Sequence, residues 1–369
     1  MKILITGADG FIACNLKIHI SENKNHELLL HTRNSTDDEL SGFLKDADFI
    51  FHLAGVNRPT SEDQFFIGNA DLTKQIVSLL QEFGKKTPIV FSSSIQASLE
   101  NPYGISKKHG EDFILDYGKN TGAPIFIYRL PNVFGKFSKP NYNSAIATFC
   151  YNISRSLPIV VNDASREMNL CYVDDLIANF LDAINGKVES GFVNIHPTYN
   201  ISLGELANLI TGFRENRDKL FIENVGQGLI RALYSTYISF LPISSCSYSI
   251  PKYEDPRGSF VEMLKTKESG QISFFSALPG VTRGRHYHHT KTEKFLIIRG
   301  KAQFRFQHLI TKEYFELVVN DQEPTIVDTI PGWTHDITNI GDNELIVMLW
   351  ANEVFNRELP DTISADITK

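Results

Sequence analysis

The 369-residue chain lacks most of what marks secreted, membrane and nucleic-acid-binding proteins. Its 4 cysteines (Cys14, Cys150, Cys171 and Cys246) form no CxxC pair and no disulfide-like spacing, so a reducing compartment is expected. Basic residues are not in excess: 36 Lys and Arg against 43 Asp and Glu leave a net charge of −7, which argues against the clustered cationic face of a nucleic-acid binder. Long apolar runs are missing too, because the stretch 229–241 is broken by Arg231, Ser235, Thr236 and Ser239 and is too short to span a bilayer. The N-terminus turns glycine-rich at Gly7, too early for the apolar core of a signal peptide. A cytoplasmic protein without membrane insertion or nucleic-acid partner is expected. What remains is ordinary globular chemistry, 42% hydrophobic and 21% charged, in a length that suggests two domains.

Short apolar runs at 2–6, 27–32, 48–53, 88–92 and 124–130 alternate with amphipathic stretches at 71–82 and 107–117, and further helical patterns follow at 144–154, 174–184 and 202–212. This alternation predicts βαβ units and a Rossmann-type doubly wound α/β layer on a parallel sheet. Leu229, Leu233, Tyr237 and Leu241 recur every fourth residue, predicting a helix packed between the domains. Beyond it the texture changes to alternating runs at 259–264, 271–276, 294–298, 302–307, 314–319 and 344–350 separated by turn signals, the pattern of an all-β barrel or sandwich. The expected domains are 1–243 and 244–369.

The segment Thr6-Gly7-Ala8-Asp9-Gly10-Phe11-Ile12-Ala13 closes the first strand and opens the first helix. Gly7 permits a tight turn, Gly10 lets the backbone approach a pyrophosphate, and Ala13 is small enough for close helix–strand packing. Thr6, Gly7, Asp9, Gly10, Phe11 and Ile12 are therefore candidate cofactor residues. The second strand ends in His31-Thr32-Arg33, with no carboxylate to accept from a ribose 2′-OH. Arg33 can pair with a 2′-phosphate, so NADPH is the expected cofactor.

Leu53-Ala54-Gly55, Ser92-Ser93-Ser94 and Tyr103-Gly104-Ile105-Ser106-Lys107 follow. Tyr103 and Lys107 lie one helical turn apart, so the ammonium shares a face with the phenol and favours its ionised form. Ser94 is placed to hold a substrate carbonyl, although its short separation from Tyr103 leaves Ser93 as an alternative. With His52-Leu53-Ala54-Gly55 and Arg129-Leu130-Pro131-Asn132-Val133-Phe134-Gly135, these motifs resemble the extended short-chain dehydrogenase/reductase family over about residues 1 to 240. The resemblance implies that Tyr103 donates or accepts the proton, that Lys107 also holds the nicotinamide ribose, and that the serine steadies the reacting oxygen. It adds Leu53, Ala54 and Gly55 to the cofactor residues and puts Asn132 and Arg166 on the substrate side.

The C-terminal part carries His286 and His288, which period-two geometry would place on one strand face, then Glu293 and, further on, His335 with Asn339 after it. Imidazoles with a carboxylate suit a borderline divalent ion. The spacing from Gly280 to Gly300, and from Pro331 to Asn339, resembles the two motifs of the cupin family. This implies a jelly-roll barrel holding a divalent metal, most often zinc, on His286, His288, Glu293 and His335. Asp255-Pro256-Arg257-Gly258 and the segment 280–286 also resemble metal-free cupins that epimerise nucleotide-linked 4-keto-6-deoxysugars, in which the residue matching His286 is the catalytic base. His286 thus stands as ligand or as base.

An extended reductase fused to such a cupin resembles, over the whole chain, bifunctional enzymes of capsule biosynthesis. The resemblance implies C3 epimerisation of a UDP-2-acetamido-2,6-dideoxy-4-hexulose by the cupin, then NADPH reduction at C4. A UDP-linked 4-keto-6-deoxy amino sugar is then the partner and a homodimer the expected assembly. The alternative is a reductase whose cupin is only a structural or dimerising metal module.

Overall fold

Strands that are apolar on both faces build the first sheet. In the computed structural model, which describes residues 1–22, 25–58 and 61–368, β1 (Lys2–Thr6) leads through α1 (Phe11–Ser21) to β2 (Glu27–His31), and α2 (Asp37–Asp46) leads to β3 (Phe49–His52). A single turn, α3 (Asp63–Phe65), passes through a π-helical turn at Phe66–Asp71 into α4 (Leu72–Glu82), followed by β4 (Ile89–Ser94), α5 (Pro102–Thr121) and β5 (Ile125–Leu130). Next come β6 (Asn132–Phe134), α6 (Ala145–Ile153), β7 (Glu167–Tyr172), α7 (Val173–Ile184), β8 (Gly191–Val193), β9 (Tyr199–Ser202) and α8 (Leu203–Lys219).

The strands align in the order β2-β1-β3-β4-β5-β8, all parallel. Every residue of β3 and β4 is buried, as expected for a sheet covered on both faces. Leu4, Ile50, Ile89 and Phe91 pack with Leu40 and Leu44 of α2, Ile76 and Leu80 of α4, and Ile114 and Tyr117 of α5. Thr36 and Glu39 close a reciprocal capping box on α2. β8, only three residues long, was not anticipated because so short a run carries no periodicity. Thr6, His52 and Ser94 all fall at the carboxyl ends of their strands, where open α/β sheets bind their ligands.

The chain then continues through β10 (Phe221–Ile222) and α9 (Gly228–Ser239). The described residues form two units, 1–211 with 227–242, and 212–226 with 243–369. Residues 212–226, expected in the first domain, thus cluster with the second, because β10 pairs with a strand there. α9 is the helix expected from the fourfold spacing, but it lies within the first unit, packing on α6 with Leu233 and Tyr237 buried. No helix among the described residues is long and apolar enough to cross a membrane.

The second unit contains β11 (Tyr253–Asp255), β12 (Gly258–Thr266), β13 (Gln271–Ala277), β14 (Thr282–Tyr287), β15 (Glu293–Arg299), β16 (Lys301–His308), β17 (Tyr314–Asn320), β18 (Ile326–Asp328), β19 (Trp333–Asn339), β20 (Leu345–Ala351) and β21 (Ile363–Ser364). One sheet runs β10-β12-β13-β20-β15-β18, with β11 on β12, and the other runs β17-β16-β19-β14-β21. Apart from the parallel β10–β12 pair, the pairing is antiparallel. The two sheets share one core, with Phe275, Phe295 and Val347 from the first meeting Phe304, Phe306 and Ile337 from the second.

Asn339, which sequence spacing associated with the histidines, is a fully buried strut rather than a member of their cluster. Its Nδ2 donates to Ala277 O (2.8 Å) and Asn343 O (2.8 Å), and its Oδ1 accepts from Gly341 N (2.9 Å). Asn339→Ala should lower the stability of the second unit by about 1–3 kcal/mol, since the buried Ala277 carbonyl and two partly buried backbone groups lose their partner at once. Both tryptophans, Trp333 and Trp350, lie in this unit, so denaturant unfolding followed by tryptophan fluorescence reads the effect directly.

Candidate functional site

The first site is built where β1, β3 and β4 end. Gly7 sits at φ +66°, and a Cβ there would lie 2.7 Å from the α-carbon of Ala54, so this turn accepts only glycine. Gly10 caps α1 with no side chain over its first amides, which leaves the helix N-terminus open to an anion. His52 braces the loop from below. Thr73 Oγ1 donates to Asn69 O, so it accepts from His52 Nε2 (2.8 Å), and Thr6 Oγ1 donates to His52 Nδ1 (2.7 Å) while accepting from Ala54 N (3.2 Å). Burial keeps this imidazole neutral, its pKa lowered to about 3. Arg33 is exposed beyond β2 and enters no ion pair among the described residues.

Helix α5 starts at Pro102, with Asn101 accepting from Gly104 N (2.8 Å), and so presents Tyr103 and Lys107 in its first turns. A Cβ on Gly104 would stand 2.2 Å from Gln96 O, so this glycine lets the helix close onto the turn that follows β4. Tyr103 hydrogen-bonds Ser94, whose Oγ also accepts from Gln96 N (3.2 Å). Ser93 instead donates to buried Glu111 (2.6 Å), so the geometry brings Ser94, and not Ser93, to the tyrosine. Burial raises the Tyr103 phenol, and the Ser94 bond only partly offsets this. Lys107 is buried, donates to Ser92 O (3.0 Å), and lies beside Gly55. Desolvation lowers its pKa to about 8 against the opposing pull of Glu111.

Three residues around this site went unread in the sequence. Asn69, in the π-helical turn, accepts from Val56 N (2.8 Å) and donates to Val56 O (3.0 Å) and Ser106 Oγ (3.0 Å), fastening the loop after β3 to α5. Glu111 extends the Tyr103–Lys107 pattern by one more turn of the same helix, and Gly104 lies inside that motif with a packing role visible only once the register of the helix is known. Asn132 and Arg166 are exposed, and no hydrogen bond or ion pair among the described residues joins them to Tyr103 or Lys107. Asn132 Nδ2 donates to Asn169 O (3.1 Å) in the separate sheet β6-β7-β9.

In the second unit His286, His288, Glu293 and His335 converge, each offering an atom within 4.8 Å of the others. The strand geometry differs from expectation: β14 bulges between Gly284 and His286 with Arg285 at φ +61°, and His288 lies just past the strand end. His286 nevertheless pairs across to His335, and the rings of His286 and His288 are 4.9 Å apart. His288 Nδ1 donates to Asp361 O, so in the neutral ring the lone pair of Nε2 faces Glu293 Oε2 at 3.2 Å. Two acceptors at that distance require a shared cation, either a proton or a metal ion. His335 Nε2 is 3.5 Å from the same oxygen, and neither of its ring nitrogens makes a hydrogen bond. Burial holds His286 neutral, its pKa lowered to about 3. Burial alone would raise the Glu293 carboxyl, but His288, His335 and Lys291 hold it well below the usual range. Lys291, unread in the sequence, takes the other carboxylate oxygen at 2.9 Å. Three imidazoles around one ionised carboxylate fit a borderline divalent cation such as zinc.

Residues 3–201 match the NAD dependent epimerase/dehydratase family, and residues 253–363 match the polysaccharide biosynthesis C-terminal domain. A UDP-2-acetamido-2,6-beta-L-arabino-hexul-4-ose reductase of Pseudomonas aeruginosa is 50% identical over 368 residues, which cover 100% of this chain and 99% of that one. The crystal structure of the capsular polysaccharide assembling protein CapF from Staphylococcus aureus superposes with a TM-score of 0.92 at 41% identity, covering 100% of both chains. A UDP-glucuronic acid 4-epimerase from Bacillus cereus, solved with NAD, shares the fold of the first unit at TM-score 0.55 and 20% identity, covering 65% of this chain and 98% of that one. The chain belongs to the NAD dependent epimerase/dehydratase family and, over its whole length, to the CapF-type enzymes that follow such a domain with a polysaccharide biosynthesis C-terminal domain.

Proposed function

We propose that the chain is a bifunctional nucleotide-sugar enzyme of capsular polysaccharide synthesis. Its second unit epimerises a UDP-2-acetamido-2,6-dideoxy-4-hexulose at C3, and its first unit then reduces C4 with NADPH to give UDP-N-acetyl-L-talosamine. The observation that carries this reading is that each unit holds its own proton-transfer set, Tyr103 with Ser94 and Lys107 in one and neutral His286 beside the His288–Glu293–His335 cluster in the other. The Pseudomonas relative, named a reductase of such a hexulose, supports the substrate class. The homodimer expected from the family belongs to the same proposal.

Chemistry orders the steps. A C4 ketone acidifies the C3–H because the resulting carbanion is an enolate, so epimerisation must precede reduction. His286 is the least buried of the four clustered residues and is neutral, which suits a base facing substrate, while the other three are placed to hold the ion. When bound, a divalent ion there supplies positive charge toward the developing enolate oxygen. In the first unit NADPH supplies the hydride. Tyr103, kept protonated by burial, gives its proton to the nascent C4 alkoxide, Ser94 holds that oxygen, and Lys107 stabilises the phenolate left behind. Thr6, Gly7, Asp9, Gly10, Phe11 and Ile12 with Leu53, Ala54 and Gly55 would line the dinucleotide, and Asn132 and Arg166 the sugar nucleotide.

Arg33 is free for a 2′-phosphate, while Glu39 and Asp37 of the next turn are engaged by Thr36 and Gln75. Catalytic efficiency should therefore favour NADPH over NADH at least tenfold, a charge-assisted contact being worth about 1.5–3 kcal/mol, and Arg33→Ala should erase most of the preference. Equal efficiencies in the unmodified enzyme would overturn the assignment.

The reduction should also lose activity as the Lys107 ammonium deprotonates. A cation is present below its pKa, so kcat/KM should be level up to about pH 8 and fall above it, because this profile reports the free enzyme. A profile level to pH 9.5 would show that the charge of Lys107 is not needed.

Tyr103→Phe removes the proton donor and should slow NADPH oxidation by about 10²–10⁴-fold. Uptake of deuterium at C3 from heavy water should continue at nearly the normal rate. His286→Ala should stop that uptake while reduction of the epimerised ketone survives. Loss of exchange in Tyr103→Phe would mean a single site performs both steps.

A further inference from the structure

Beyond the one bond from His288 to Asp361 O, the segment 361–368 takes no part in the readings above, yet it is built around the histidine cluster. Both oxygens of Asp361 accept from the connection between β14 and β15: His289 N donates to Oδ1 (2.8 Å), and Thr290 N (2.7 Å) and Lys291 N (2.8 Å) donate to Oδ2. The Thr290 hydroxyl adds a fourth donor at 3.2 Å. The same residue acts a second time, because its backbone oxygen is the acceptor for His288 Nδ1. Beyond it, β21 pairs with β14, with His286 opposite Ser364 and Tyr287 opposite Ile363, and Ala365 N donates to Arg285 O (2.9 Å). Gln307 anchors the far end, its Nε2 donating to Thr368 O (2.6 Å) and its Oε1 accepting from Thr368 N (3.1 Å).

We propose that Asp361, with the tail 361–368 that carries it, is a positioning residue of the histidine site, presetting His288 and its loop to receive a divalent cation. The inference rests on the metal reading above. Its physical basis is the direction of the hydrogen bonds. An imidazole with both nitrogens free can rotate and can carry its proton on either one. Here the Asp361 carbonyl fixes the proton on Nδ1 and turns the Nε2 lone pair toward Glu293. The carbonyl can do this only if it is itself held in place, and the carboxylate gripping three consecutive amides holds it. Ordinary edge protection would need only the two paired residues of β21. It would not need a partly buried contact to a ring nitrogen, nor a carboxylate closed onto the loop that joins His288 to Glu293.

The test uses the full chain loaded with zinc, and separately with cobalt(II), and follows release of the ion to excess chelator. Asp361→Ala keeps the backbone carbonyl but frees the 289–291 amides. It should release the ion about 10–100-fold faster, the usual effect of losing an orienting partner, and shift the visible cobalt(II) bands. Asp361→Asn, which keeps one acceptor oxygen and the shape, should fall between and serves if the alanine variant does not fold. Release within threefold of the unmodified protein with an unchanged cobalt spectrum would overturn the inference while leaving the metal reading intact, even if the ion-free protein melts lower. An unmodified protein that takes up no ion would overturn both, so the two failures are told apart.

Discussion

Glu111 has no exposed surface, and its carboxylate organises the edge of the first unit that carries Tyr103 and Lys107. Arg129 grips both of its oxygens (2.8 and 2.7 Å), and Ser93 donates to one of them (2.6 Å). A buried charge left without partners is costly, so α5, β4 and β5 are held in one mutual placement by this set. One and two turns earlier on the same helix are Lys107 and Tyr103. Because Ser93 is committed to Glu111, the neighbouring Ser94 is left for Tyr103, and Glu111 also favours the charged form of Lys107 against burial. The Tyr103 hydroxyl, its hydrogen-bond partner and the Lys107 ammonium therefore inherit their geometry from a carboxylate that touches none of the expected ligands.

The second unit meets the same constraint with different residues. Glu293 is buried among His288, His335 and Lys291, and Phe295 and Phe306 of the barrel core lie against the His335 ring. Lys291 neutralises one oxygen and leaves the other facing His288 and His335, while burial disposes His286 beside them to remain neutral. Such a cluster is poorly satisfied by protein alone, which is why a cation is its natural complement. Around Glu111 the carboxylate is matched by side chains of the chain itself; around Glu293 the ring nitrogens of His335 are left without a hydrogen-bond partner.

The proposed division of chemistry rests on these environments. Burial of Tyr103 raises its pKa and supplies a proton donor, which is what reduction of a ketone needs. Burial of His286 lowers its pKa and supplies a proton acceptor, which is what enolisation needs. Desolvation thus works in opposite directions on a phenol and an imidazole, giving acid and base at neutral pH without either residue being unusual in itself.

The order of strands and helices in the first unit was legible because parallel strands buried on both faces appear as uninterrupted apolar runs, and because Gly7, Gly10, Tyr103 and Lys107 act within one turn of their neighbours in the chain. The alternating runs of the second unit were equally visible, as was the grouping of His286, His288, Glu293 and His335. Local spacing could not say which serine meets Tyr103, since Ser93 and Ser94 point to opposite sides of β4 and only Glu111, seventeen residues beyond Ser94, decides between them. Nor could it show that residues 212–226 join the β unit, because β10 finds its partner in β12 across the sequence of α9. The bulge at Arg285, which replaces simple strand alternation in bringing His286 to the cluster, and the return of Asp361 to the 289–291 loop were likewise invisible. Short-range chemistry is written in the periodicity of side chains along the backbone. Contacts that close loops of seventy residues depend on which buried group still lacks a partner once the sheets have packed, and only the tertiary structure determines that.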